Sequence, residues 1–281
     1  MKWRQERYSD NVEDRRRISP AAVGGIGGLG LIVVLAIAVL TGQDPSSLIE
    51  QLAPAGGDSS ATQGLSPEDE QAGAFVSQVL ADTETTWQGL FSSQVGDDYN
   101  EPRLVMFTGR VESACGYASA AVGPFYCPID GVVYLDTAFF DELSSRFGAT
   151  GDFAVAYVIA HEIGHHVQAE LGLLQQTDAA RRRVGQAQGN QISVGVELMA
   201  DCLAGVWANH AQQANLILDE QDIEEGLGAA SAVGDDRLQM QQQGYVVPDA
   251  FTHGTSKQRM QWFMRGLQVG TIEGCNTFEG S

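Results

Sequence analysis

Apolar positions recur at helical spacing over several long stretches of this chain and cluster into short runs elsewhere. After Ser66-Pro67-Glu68-Asp69-Glu70, a cap followed by acids, Phe75, Val76, Val79, Leu80, Trp87, Leu90 and Phe91 return every three or four residues. That pattern predicts an amphipathic helix with an ordinary core face. Residues 103–111, 123–127 and 132–135 read as short strands, broken between the last two at Pro128 and Gly131. Asp136-Thr137 predicts the start of a helix running through Phe147. From Phe153 to Val167 the apolar pattern never meets a proline; Gly151-Asp152 offers a cap before it and Gly172 a stop after it. Residues 175–191 are polar and read as a solvated helix or loop. A second apolar helix spans roughly 192–211, and the stretch from Phe251 to Arg259 opens a last one that buries Met260, Trp262, Phe263 and Leu267.

One run is different in kind. Ala21 to Leu40 carries no charge and no strongly polar side chain. At 1.5 Å per residue it would span about 30 Å, the thickness of a bilayer's hydrocarbon core. It divides the chain into a basic tip (1–20), a transmembrane helix (21–41), a flexible linker rich in Gly, Ser, Ala and Gln (42–66) and a folded domain (67–281). Residues 1–17 hold six basic residues against four acidic ones, net +2, so the rest of the chain carries −22 of the total −20. Arginines just before the apolar run place the N-terminus in the cytoplasm and the folded domain outside a cell membrane crossed once. A cleaved signal peptide is the rival, but Thr41-Gly42-Gln43-Asp44-Pro45 offers no A-x-A-like site. Gly24 and Gly28 form G-x-x-x-G, a pattern that pairs membrane helices, so weak self-association is a further expectation. The acidic body excludes nucleic acid as a partner, since phosphate binding needs a basic face.

The four cysteines, Cys115, Cys127, Cys202 and Cys275, form no C-x-x-C, which weakens zinc-ribbon and thioredoxin readings. In an exported domain two bridges are expected: Cys115 to Cys127, closing a loop worth about 3 kcal/mol, and Cys202 to Cys275.

The chemistry concentrates at His161-Glu162-Ile163-Gly164-His165, an H-E-x-x-H in the middle of an apolar helix. His161 and His165 lie one turn apart and can grip a single Zn²⁺, with Glu162 beside them as base for a zinc-activated water. A catalytic zinc needs a third protein ligand. Glu197 and Asp201, one turn apart among Leu198, Met199, Leu203 and Val206, are costly to bury unless something positive meets them. One Zn²⁺ per chain for Glu197, and a ring N–H of a ligating His for Asp201, would satisfy both. His166 points away from the pair and reads as packing; His210 reads as surface. His253, at a loop-to-helix junction, is either a donor to the oxyanion of peptide hydrolysis or a capping residue. Arg259 ranks behind it.

The segments HEIGHHVQ, ELMADCLAGVWA, FYCPIDGVVYLD and FTHGTSKQRMQWF, together with the H-E-x-x-H…E-x-x-x-D order of the gluzincins, resemble the bacterial neutral zinc metallopeptidases of the YpfJ type. The resemblance covers nearly the whole chain except the linker. It implies His161, His165 and Glu197 as ligands, Glu162 as catalytic base, and an α+β, zincin-like fold with a mostly helical core beside a small sheet. The expected activity is hydrolysis of a peptide or protein substrate. Two rivals stand beside it: a non-catalytic envelope scaffold or chaperone stabilised by zinc, and a zinc amidase acting on cell-wall peptides.

Overall fold

A computed structural model describes residues 1–3, 7–16, 65–119, 123–146, 148–214 and 216–278. The apolar segment 21–41, its Gly24/Gly28 pair and nearly all of the linker lie outside these residues. No helix among the described residues is long and apolar enough to cross a membrane.

Helix α1 (Pro67–Leu90) begins as its sequence predicts. Ser66 caps it, Ser66 and Asp69 form a reciprocal capping box, and Glu68, Asp69 and Glu70 fill the first turn. The helix buries Val76, Val79, Leu80, Trp87 and Leu90, then widens into a π turn (Phe91–Val95) closed by Gly96.

The stretch expected as one strand from 103 to 111 is two. Strand β3 (Arg103–Phe107) ends where the chain turns through Gly109 at φ +83°, and β4 (Arg110–Ser113) starts a separate hairpin with β5 (Gly116–Ser119). The Asp136 carboxylate, completely buried, holds the turn by accepting the Gly109 N–H. Strands β6 (Phe125–Cys127) and β7 (Val132–Asp136) follow. The main sheet also takes in β2 (Val12–Asp14), in the order β2-β3-β7-β6. The first two pairings are parallel, and β6 runs antiparallel to β7 at the edge. Cys115–Cys127 ties the hairpin to that edge strand. A two-residue strand β1 (Lys2–Trp3) pairs with β8 (Leu216–Ile217). Residues 1–3 and 7–16, expected to stand apart as a tip, thus lie against the body.

After the short α2 (Ala138–Ser145), the central helix α3 (Asp152–Glu170) runs through the core. Helix α2 stops before Phe147, and Thr137 makes no side-chain cap; Asp136 accepts the Ala138 N–H instead. Gly151 stands at the N-cap of α3 with φ +103°, and the cap bond comes from afar. The Phe153 N–H donates to Glu225, on α6 (Glu220–Ala232). Gly172 closes the region as expected, in the left-handed conformation before α4 (Leu173–Arg181).

The polar stretch then starts α5, which runs from Gln186 to Ala214 and so begins earlier than its apolar pattern suggested. Where α3 and α5 cross, a Cβ on Gly164 would lie 2.9 Å from the Ala200 carbonyl oxygen, so only glycine permits this approach. Helices α7 (Asp235–Gln243) and α8 (Ser256–Val269) complete the body. Cys202–Cys275 pins α5 to a short 3₁₀ turn at Glu273–Cys275. The result is the expected α+β architecture: a mostly helical core flanked by a small sheet.

Candidate metal centre

Helix α3 carries the H-E-x-x-H residues on its face toward α5, and the glycine crossing brings Glu197 level with them. His161 Nε2 lies 3.3 Å from Glu197 Oε2, and His165 Nε2 lies 3.6 Å from Glu197 Oε1. One atom from each of the three lies within 4.8 Å of the others. A tetrahedral zinc with bonds of 2.0–2.1 Å separates neighbouring ligand atoms by roughly 3.3 Å. The donor set and its spacing therefore fit that ion.

The outer ring nitrogens are already committed. His161 Nδ1 donates to Asp201 Oδ1 at 2.9 Å, and His165 Nδ1 donates to Gln168 Oε1 at 3.0 Å. With each Nδ1–H directed outward, Nε2 is the ring nitrogen that faces the centre and gives its lone pair to a metal once deprotonated. Gln168 is held in turn by the Val196 carbonyl, which accepts its amide N–H at 2.7 Å. Asp201 is completely buried. Arg259 reaches it with Nε to Oδ2 and Nη2 to Oδ1, both 2.8 Å, and the Tyr157 hydroxyl donates to Oδ1 at 2.5 Å.

The electrostatics follow from these contacts. Burial alone would raise the Asp201 pKa, but the Arg259 guanidinium and the His161 ring hold it below the usual range. Burial likewise opposes charge on Glu197, and the facing His165 and His161 rings outweigh it, so this carboxyl stays ionised far into acid. For His161, burial works against the imidazolium, yet Asp201 and Glu197 prevail and push its pKa up to about 9.

Glu162 is buried and lines the same cleft as the three ligands, a cavity of about 480 Å³. Phe125 and Tyr126 of β6, Phe139 and Val158 form much of the apolar wall, and His253 stands on the rim. The His253 ring is held by Asp235, whose Oδ1 lies 3.1 Å from Nδ1; Asp235 Oδ2 also accepts the backbone N–H of Thr252, His253 and Gly254. That hydrogen bond raises the His253 pKa above the ordinary imidazole value.

Two other histidines sit away from the centre, as their positions along the helices suggested. His166 is buried between the Asn100 carbonyl (2.7 Å) and the Tyr126 hydroxyl (3.2 Å), and burial lowers its pKa. His210 lies 2.8 Å from the Gly270 carbonyl.

Sequence reasoning gave Arg259 too little weight and did not single out Tyr157, Gln168 or Asp235. A signal for Arg259 exists: it stands four residues before Phe263, on the face of α8 that is buried. Asp235 carries none, because neither of the helices around it shows a strong apolar stripe.

Fold and site together define an α+β protein with a His/His/Glu cluster, spaced for a metal ion, that opens on a cleft. The chain belongs to the family described as "Putative neutral zinc metallopeptidase", whose profile matches residues 1–278. It is 46% identical to "Uncharacterized protein YpfJ" of Escherichia coli (strain K12), covering 99% of each chain. It is also 44% identical to "Uncharacterized protein Rv2575" of Mycobacterium tuberculosis, over 65% of this chain and 64% of the relative. No solved structure matches the chain.

Proposed function

We propose that the chain is a membrane-attached metallopeptidase that hydrolyses peptide bonds with one zinc ion, on a zincin-like fold. The observation that carries the reading is the open triangle of His161, His165 and Glu197 with Glu162 beside it at the bottom of a cleft. Three protein ligands facing a cleft suit a catalytic zinc; a purely structural zinc favours a closed set of four. That distinction also disfavours the scaffold reading.

Zinc bound there supplies an electrophile that makes water nucleophilic near neutral pH. Glu162 takes the proton from the attacking water and passes it to the leaving amine. Residues of β6, the free edge of the sheet, offer backbone groups along which an extended substrate can lie as an added strand. His253, with Nδ1 tied to Asp235, turns Nε2 toward the cleft as donor to the oxyanion.

Membrane attachment is assigned to the apolar run at 21–41. Both expected disulfides close in the structure, which supports an oxidising compartment for the body. The test is incubation of the zinc-loaded full-length chain with a diverse peptide library and, separately, with cell-wall peptides, each with and without a chelator. Chelator-sensitive cleavage of library peptides is expected. Zinc-loaded protein that cuts neither set refutes the hydrolase reading, and cleavage of cell-wall peptides alone moves the substrate to that class.

A further inference from the structure

Charge and hydropathy along residues 1–41 suggest that the tip and the body are separated by a bilayer; the packing of the tip contradicts it. Strand β2 covers the edge of β3 that would otherwise be bare: the Leu104 N–H donates to the Asn11 carbonyl at 2.9 Å, and the Arg15 N–H donates to the Met106 carbonyl at 2.8 Å. Leu104, Val105, Met106 and Phe107 are all buried in that strand.

Glu84, in the middle of α1, is 3% exposed. Its carboxylate accepts hydrogen bonds from Arg7 (2.9 Å), Ser9 (2.5 Å) and Asn11 (2.8 Å), all from the tip. A buried carboxylate needs such partners. Ser9 is fixed again by its backbone N–H, which donates to the Ser77 hydroxyl at 2.9 Å.

Arg7, Arg15 and Arg16 are paired with Glu84, Glu13 and Asp14 in the folded protein. Arg16 also donates to the Asp69 carbonyl at 2.7 Å, which puts the departure of the chain after Arg16 beside its return at Ser66. The family profile matches residues 1–278, the tip included.

We infer that residues 1–16 stay docked on the catalytic body and share its side of the membrane. This rests on the membrane attachment proposed above and not on the hydrolase assignment.

The described cysteines are all in disulfides, so an introduced cysteine is a unique thiol. Asp10→Cys and Glu112→Cys, both at exposed positions, are made separately in the full-length chain. Membrane fractions establish attachment first. Cells are then treated with a membrane-impermeant maleimide before and after lysis. The two variants are expected to label together, both before lysis or both only after it. Labelling of one before lysis and of the other only after it overturns the inference.

A second measurement reads docking even if the chain is not in the membrane fraction. In purified full-length protein, Arg7→Ala with Asn11→Ala should lower Tm by at least about 4 °C. An unchanged Tm would show that the tip does not hold Glu84 and would sink the proposal.

Discussion

Arg259 and Asp201 form a bidentate pair with both partners sealed from solvent, two 2.8 Å bonds directly behind the ring of His161. The guanidinium Nη2 also lies 3.3 Å from His161 Nδ1. The pair anchors the first histidine of the metal site to α8, a helix that supplies no ligand. Arg259→Met would leave the buried Asp201 carboxylate with His161 and Tyr157 as its remaining partners, and loss of the guanidinium should cost about 3–5 kcal/mol. Thermal unfolding of the metal-free protein should show Tm reduced by about 10 °C. Retention of the parental Tm would mean the pair carries no structural load.

Asp201→Asn keeps the size of the side chain and removes the charge that orients His161. Zinc affinity should fall about 10- to 100-fold, the usual consequence of losing the group behind a ligating histidine. Competition with a chelator measures it. Glu197→Ala, which removes a ligand, should weaken retention further than Asp201→Asn does.

Glu162→Gln separates holding the metal from using it. The variant should bind zinc stoichiometrically by metal analysis, while kcat for peptide cleavage falls about 10²- to 10⁴-fold. Full residual activity would remove Glu162 from the proton-transfer role.

The proton on His161 competes with the metal. Its pKa is raised from 6.5 to about 9, so in the metal-free fold Nε2 is protonated at neutral pH and must be stripped for zinc to bind. Apparent zinc affinity should therefore climb about tenfold per pH unit on approach to pH 9 and then level off. The sign for stability is the reverse: the raised pKa stabilises the metal-free protein fully below 6.5, and that contribution is lost as pH rises through about 9. Isothermal titration across this range, alongside apo-protein melting, checks both directions.

His253 gives a different pH signature. With its Nδ1–H engaged by Asp235, Nε2 bears a proton only in the imidazolium form, whose pKa is raised by that hydrogen bond. Activity should decline on the alkaline side, at a pH above the ordinary imidazole value. In His253→Gln that limb should disappear along with about 10²-fold of kcat. An unaltered pH profile would leave His253 as a cap of its loop.

The clustering of His161, His165 and Glu197 was legible because its signals are local. H-E-x-x-H needs only helical spacing, and Glu197 with Asp201 is conspicuous among apolar neighbours. Strands β3, β6 and β7 were found for the same reason, although Gly109 split β4 from β3 in a way the apolar run through Val111 concealed, and β1, β2, β5 and β8 were not foreseen. What stayed hidden depends on long-range contact. Glu225 caps α3 from another helix, and Asp235 acts through His253; nothing in the local pattern of either announces it. The tip looked like a simple basic flank because β2 is three residues long and its partner lies beyond the apolar run.

Cys202 directly follows Asp201, and its bond to Cys275 fastens α5 to a segment 73 residues further along the chain. Arg259, on the way to that segment, closes the pocket behind His161. During synthesis the histidines and Glu197 therefore emerge well before the groups that fix them in place. A nascent chain holds these three side chains without a rigid centre until Arg259 has been added and the Cys202–Cys275 bridge has closed.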